Sequence, residues 1–311
     1  VFIDTVEDAY RAGVEFKARD IDLLFVYLTT YVASGRYMLG ALAAGCPIVI
    51  VGTQNRIQLD GLDMQGMTVV GSPCPLPEAY SAFIRCGKPP AGVIFDFMED
   101  NPRAAKEVDE WCRAANAMHA FKGAMFGYMG HSYEGMLDMN FDPTAVTHAV
   151  GAHVKFVEMC ELVDYIEKCT PAELQAKLDE IDNTFVRMSR SYDRVTKDIE
   201  DSDIEWAAKV AVGLDKLIFN NNLSGFAYYY MRENNSTYER AASNLMVGNS
   251  LMTTKGISMA GEGDMKTCLA MYLTSALGCG GSFAELCLVN WDNNMVIVGH
   301  DGPHDIRISD K

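Results

Sequence analysis

Asp22–Leu28 reads DLLFVYL and Pro47–Gly52 reads PIVIVG. Each is an apolar run of strand length without polar alternation. Such runs suit strands buried on both faces, the habit of parallel sheets covered by helices. Segments of helical period surround them: Thr5–Ala18 precedes the first run and Arg36–Ala44 separates the two. Further along, Leu76–Cys86 reads as helix, Ala91–Phe95 as strand, and Asn101–Ala117 as a long helix opened by Asn-Pro. The short apolar run Met67–Val70 is expected to add a strand. Strands alternating with helices predict an α/β chain built on doubly wound parallel sheets. Ligands of such sheets sit beyond the carboxyl ends of the strands. Thr29-Thr30-Tyr31 follows the first run and is expected at that edge.

A domain boundary is expected near residues 116–121. Beyond it Lys122–Tyr128 reads as a strand of small residues, followed by the Gly-rich loop Gly130-His131-Ser132-Tyr133-Glu134-Gly135-Met136. Two long polar helices follow, Ala172–Arg194 and Ser202–Leu217. The first opens on Thr170-Pro171-Ala172-Glu173, with Pro in the first turn. Its alternating charges point to a solvated outer face. Leu223–Tyr230 is aromatic-rich and strand-like, and Thr237–Met252 reads as one helix. The expected division is 1–118, a doubly wound domain; 119–277, a central α/β domain; and 278–311, the start of a β-rich C-terminal domain. Val1–Asp4 looks like the tail of a strand already under way, so the chain reads as an internal piece of a longer protein.

The chain's 311 residues are 49% apolar and 22% charged, ordinary for a globular protein with a sizeable core. A net charge of −16 argues against nucleic acid and anionic membranes as partners and is compatible with a neutral sugar or a cation. Nine cysteines, an odd number without a C-x-x-C pair, fit reduced thiols and a cytoplasmic location better than a disulfide framework. No apolar run reaches the roughly 18 residues that span a bilayer, and no signal peptide is visible.

The chemistry concentrates near the end of the chain. Glu262 lies between two glycines in Ala-Gly-Glu-Gly-Asp, a strand-to-helix turn whose Asp264 can cap Met265–Leu277. Alone, such a residue is more often a surface acid. Glu285 interrupts the apolar strand 282–290, with Phe283, Cys287 and Val289 on its own face. A carboxylate there needs a partner, a cation or open water. Residues 295–299 read as the next strand, and Trp-Asp-Asn-Asn between them suits a hairpin turn. If Asn290 pairs with Met295, Glu285 stands opposite His300, roughly 5 Å away on one face. Two carboxylates and an imidazole suit Mn²⁺, Co²⁺ or Mg²⁺. Such a cation polarises a carbonyl and its neighbouring hydroxyl, and a carboxylate beside it moves a proton between two carbons. That is chemistry for aldose–ketose isomerisation through an enediol; metal-assisted hydrolysis or aldol cleavage uses the same parts. A non-catalytic sugar-binding protein on the same scaffold is the other reading. His131 is either a substrate contact or a surface histidine. Tyr228 and Tyr229 either line a sugar pocket or pack in the core or an interface.

Met259-Ala260-Gly261-Glu262-Gly263-Asp264-Met265-Lys266-Thr267 is similar to the L-arabinose isomerase segment whose glutamate binds the metal. Gly280-Gly281-Ser282-Phe283-Ala284-Glu285 resembles the segment of that family's second metal-binding glutamate, and Val296-Ile297-Val298-Gly299-His300 that of its first metal-binding histidine. Order and spacing are also similar. A weaker likeness covers most of the chain. Leu28-Thr29-Thr30-Tyr31 resembles a pocket loop carrying an aromatic residue, Gly135-Met136 fits a methionine of the sugar pocket, and Tyr230 falls where the family has phenylalanine. The related L-fucose isomerases share the general architecture. The resemblance implies a three-domain α/β subunit, a catalytic Mn²⁺, and homo-trimers or homo-hexamers with shared active sites. It also implies a proton relay by two glutamates, here Glu262 and Glu285. This chain departs from the family at several places. The family's fourth ligand is a second histidine far downstream, expected beyond Lys311. His304 lies only four residues beyond His300. Gly71-Ser72-Pro73-Cys74-Pro75 stands where the neighbouring subunit's histidine is supplied, and Cys287 replaces a usual tyrosine. These departures bear on the identity of the sugar more than on the reaction.

Overall fold

The computed structural model describes residues 3–54, 60–61, 63–65, 74–97, 102–187, 197–231, 234–300 and 302–309. The run 67–70 and residues 71–73 lie outside them. The chain divides into two compact units, Val1–His119 and Ala120–Lys311.

In the first unit, helix α1 (Val6–Ala18) starts where the Thr5 side chain accepts a hydrogen bond from the Asp8 amide, with Glu7 and Asp8 in its first turn. Strand β1 (Leu24–Leu28), helix α2 (Met38–Ala44), strand β2 (Ile48–Gln54), helix α3 (Pro75–Arg85) and strand β3 (Gly92–Phe97) follow. The three strands are parallel in the order β1-β2-β3. The central strand is the continuous apolar run, and its Ile48, Val49 and Ile50 are buried, as a middle strand requires. Ile48 and Ile50 pack with Met38, Ala41 and Phe83. Helix α4 (Pro102–Phe121) comes next in the chain.

The second unit holds strand β4 (Met125–Gly130), helix α5 (Pro143–Val150), strand β5 (His153–Val157), and helices α6 (Met159–Glu167), α7 (Pro171–Thr184) and α8 (Asp201–Asn220). Strand β6 (Gly225–Tyr229), helices α9 (Thr237–Ala242) and α10 (Met246–Thr254), strand β7 (Ser258–Ala260) and helix α11 (Met265–Ala276) complete it. Its four strands are parallel in the order β5-β4-β6-β7. Alternate residues feed two cores. Met129, Phe226, Tyr228 and Met259 meet Leu162, Leu214 and Leu217 on one face. Phe126, Tyr128, Ala227 and Ala260 meet Phe121, Met265 and Cys268 on the other. This is the doubly wound pattern. The chain leaves β4 toward β5 and returns on the other side of β4 to make β6. The order therefore reverses between β4 and β6, where such folds open a crevice at the carboxyl edge.

Some expected boundaries move. The helix predicted over Thr237–Met252 is two helices, α9 and α10, broken at residues 243–245. Ser243 Oγ donates to the carbonyl of Glu239 there, a competitor to helix continuation. The helix predicted over Ala172–Arg194 ends at Thr184 within the described residues. It starts where predicted, with Pro171 in the first turn, and Thr170 and Glu173 close a capping box there. Its outer face is not wholly solvated: Lys177 is 5% exposed and bonded to Glu180 and Asp215.

Strands β8 (Glu285–Asn290) and β9 (Met295–Gly299) form an antiparallel hairpin. Nearly all of it is exposed, including Leu286, Leu288, Trp291, Val296 and Val298. Among the described residues, no helix is long and apolar enough to cross a membrane.

Candidate functional site

Three loops at the carboxyl edge of the second sheet converge. After β4, His131–Met136 leaves the strand; after β6 the chain passes through Tyr230; after β7 comes the Glu262 turn. Backbone hydrogen bonds tie them together. The His131 amide donates to the Tyr229 carbonyl, the Tyr133 amide to that of Glu262, and the Gly263 amide to that of Tyr228, at 3.1, 2.8 and 3.0 Å. Gly263 has φ +69°, and a Cβ there would stand 2.6 Å from the His131 carbonyl oxygen, so this close approach requires glycine.

Glu262 itself takes φ +58°. A non-glycine residue in the left-handed region is strained, and such strain gathers where chemistry is done. Of its two flanking glycines, Gly263 is also left-handed, and Gly261 is not. The Glu262 side chain is 29% exposed, and its Oε1 lies 3.9 Å from Nε2 of His300, which is 17% exposed. Phe283 packs against the His300 imidazole edge to face, ring centres 4.9 Å apart. Asp264 caps α11 as predicted, accepting from the Thr267 amide and hydroxyl.

Tyr229 is the member of this site that the sequence left open between pocket and packing. It ends β6, and its ring meets His131 at 5.3 Å and Tyr133 at 5.4 Å, both edge to face. Burial pushes its hydroxyl above the ordinary tyrosine range, and Tyr133 and the carboxylates of Glu262 and Glu134 add to the shift. Tyr228, pointing the opposite way, is a core residue: its hydroxyl is bonded to Asn249 and burial pushes it up to about 12. Strand alternation is the signal that separates the two.

His131 is partly buried. Its Nδ1 lies 2.7 Å from the Ser132 carbonyl oxygen. A carbonyl only accepts, so Nδ1 carries the proton and Nε2 is the acceptor. That Nε2 is buried and has no hydrogen-bond partner. A buried acceptor in this state calls for a donor from water or ligand. Tyr230 is half-buried and packs edge to face on Tyr238. Met136 is half-buried at the end of the same loop as His131, its amide bonded to the Tyr133 carbonyl. Tyr31 belongs to the first unit, where it is exposed. It hydrogen-bonds Glu78, a carboxylate held below its ordinary range chiefly by the Ser34 amide and hydroxyl.

Glu285 departs from expectation. Asn290 does pair with Met295, but a β-bulge between Leu286 and Leu288 shifts the register, and Glu285 stands opposite Gly299, not His300. A bulge places two residues against one and turns every side chain beyond it to the other face. Cys287, the residue inside it, hangs its thiol by the carbonyls of Glu285 and Gly299. The Glu285 side chain is open to water, which removes the demand for a buried partner. Among the described residues, no three His, Cys, Asp or Glu side chains come together as a metal-holding group. His304 also points elsewhere: its Nδ1 lies 2.8 Å from Ser282 Oγ and its Nε2 2.9 Å from the His300 carbonyl oxygen.

Two donors do fit a divalent cation. Ligand atoms each about 2.1 Å from a shared ion stand roughly 3–4 Å apart, and the Glu262–His300 separation of 3.9 Å lies in that range. A carboxylate oxygen and an imidazole nitrogen are donors that Mn²⁺ accepts.

Residues 140–280 match the family model described as the L-arabinose isomerase central domain. The match contains Tyr229, Tyr230 and Glu262, while His131 precedes it and Glu285 and His300 follow it. No curated protein matches the chain.

Proposed function

We propose, starting from the arabinose isomerase-like family of this chain, that it interconverts an aldose and a ketose, a pentose or a (deoxy)hexose, with Mn²⁺ as cofactor. An isomerase family follows from the matched domain; the reaction, the metal and the residue roles are our reading. The observation that carries it is the strained Glu262, facing His300 across 3.9 Å at the carboxyl edge of the sheet.

Glu262 and His300 would hold the cation, which supplies polarisation of the sugar carbonyl and the adjacent hydroxyl. Co²⁺ or Mg²⁺ would serve the same donors. Glu262 and Glu285 are the proposed acid–base groups. One carboxylate takes the proton from C2 of the aldose while O1 gains a proton, giving the enediol. The proton is returned to C1 and O2 gives up its own, leaving a ketone at C2. Tyr229 and Tyr133 wall the site beside Glu262, and the free acceptor of His131, Nε2, would take a hydrogen bond from a sugar hydroxyl. Met136 and Tyr230 are proposed as further sugar contacts. The Tyr229 hydroxyl donates to Met231 Sδ at 3.0 Å, which holds its ring in place beside the site.

The test is conversion of a panel of pentoses, hexoses and deoxysugars by metal-stripped protein, before and after adding Mn²⁺. Mn²⁺-restored turnover supports the reading; turnover indifferent to metal refutes the cofactor role. One observation favours a second reading, sugar binding without turnover: the exposed Glu285 stands opposite Gly299. Metal-independent sugar binding with no conversion of any sugar would establish it.

A further inference from the structure

His304 was the residue that the sequence left without a role. It occupies the centre of a hydrogen-bond cluster that fastens residues 302–309 to helix α10 and to the Gly280–Phe283 segment. Its amide donates to Ser250 Oγ at 3.2 Å. Its neighbour Asp305 is 2% exposed, and the Asp305 amide donates to Ser282 Oγ at 3.2 Å. The Ile306 amide donates to Thr254 Oγ1 at 3.0 Å, and Arg307 grips both Asp305 oxygens. These bonds hold the backbone on either side of the His304 ring.

Both ring nitrogens have partners. The His300 carbonyl can only accept, so His304 Nε2 donates to it at 2.9 Å. Ser282 Oγ, which accepts from the Asp305 amide, also bonds His304 Nδ1 at 2.8 Å. The His304 ring therefore links Ser282 to the main chain of His300, while the His304 amide ties the residue to α10.

His300 sits at the end of an exposed hairpin, a poor platform for a site residue. Its imidazole nevertheless has neighbours on several sides. Glu262 is 3.9 Å away, and Phe283 stacks edge to face. A Cβ added to Gly302 would lie 3.1 Å from His300 Nδ1, closer than ordinary packing allows. Glycine at 302 lets the backbone pass beneath the ring.

We propose that His304 is a positioning residue: its Nε2–H bond to the His300 carbonyl fixes the His300 imidazole toward Glu262. Gly302 leaves room for that pose. The inference concerns these side chains and rests on the proposed function only where metal affinity is used as a readout. Ligand-orienting partners of this kind change metal affinity by about 10–100-fold when removed.

Three substitutions in the full chain separate the role from simple anchoring. His304→Gln retains an amide donor near the position of Nε2. His304→Asn keeps a polar group near Nδ1, and so the Ser282 contact, but not the one to His300. His304→Ala keeps neither. The first readout is the ring resonances of His300 in histidine-labelled protein, which need neither metal nor sugar. A single resolved His300 environment is expected in wild type and His304→Gln, and averaged or multiple environments in His304→Asn and His304→Ala. The second is Mn²⁺ affinity by paramagnetic resonance: about 10–100-fold weaker for Asn and Ala, within a few-fold of wild type for Gln. An unchanged His300 environment in His304→Ala overturns the proposal, as does failure of Gln to differ from Asn. If wild type binds no Mn²⁺ and converts no sugar, the proposed function falls, and the His300 resonances still decide the role of His304.

Discussion

Replacing Glu262 by glycine should leave the protein more stable than replacing it by alanine. Glu262 is held at φ +58°, a conformation that costs a side-chain-bearing residue about 1–2 kcal/mol. Glycine is free of that cost but loses about 0.5–1 kcal/mol through the greater freedom of its unfolded chain. Glu262→Ala is the reference, because it also lacks the carboxylate and the contact with His300 but keeps the strain. Taking the middle of each range, the Gly variant should therefore exceed the Ala variant by about 0.75 kcal/mol. In a unit the size of Ala120–Lys311, that is a rise in Tm of roughly 1–4 °C. The backbone bond from the Tyr133 amide to the residue 262 carbonyl is available to all three side chains and cancels. The assay is urea and thermal unfolding of the two variants followed by far-ultraviolet circular dichroism. A glycine variant no more stable than the alanine one would refute the claim that residue 262 is strained.

Glu262→Gln and Glu285→Gln are each expected to abolish aldose–ketose turnover with the circular dichroism spectrum unchanged; full activity in either would sink its acid–base role. Lys177 is a buried cation between Glu180 and Asp215, and Lys177→Met should cost about 2–3 kcal/mol, the low end for breaking a buried pair, because both partners keep some exposure to water. Adding Asp215→Leu should recover much of that loss in urea unfolding, and no recovery would contradict the ion-pair account. Asp305 is held below the ordinary aspartate range, chiefly by its hydrogen bonds from Arg307. Its contribution to stability is complete above about pH 4 and is lost as pH falls through the depressed value. Asp305→Asn should remove that part of the acid dependence, read as urea midpoints between about pH 5 and pH 2. Parallel acid curves for the two proteins would exclude it.

The parallel architecture was legible because buried strands leave a plain signal, and Ile48–Ile50 fills the middle of its sheet as its composition demands. The stretch 141–170 carried weaker signals and went unassigned. There β5 is a short edge strand whose Phe156 is exposed, and α5 is announced only by the Asp142 cap and Pro143. Glu262 and its turn could be located from glycine spacing and the Asp264 cap. The strain at Glu262 could not, since composition places the flexible residues around it and tertiary hydrogen bonds select its φ. The hairpin and its turn were readable, and so was the pairing of Asn290 with Met295. The bulge at Cys287 was not, because nothing local distinguishes one inserted residue from regular pleating. That single residue decides whether Glu285 faces His300.

The convergence of three loops and a hairpin on Glu262 has a kinetic consequence. His131, Tyr229, Glu262 and His300 come from distant stretches of the second unit, joined only after successive crossovers have laid β4, β6 and β7 side by side. No early local contact can assemble them, and pairings between remote segments form slowly. During refolding from denaturant, helical signal should return first. The Glu262–His300 pair, hung on the last elements to dock, should return last.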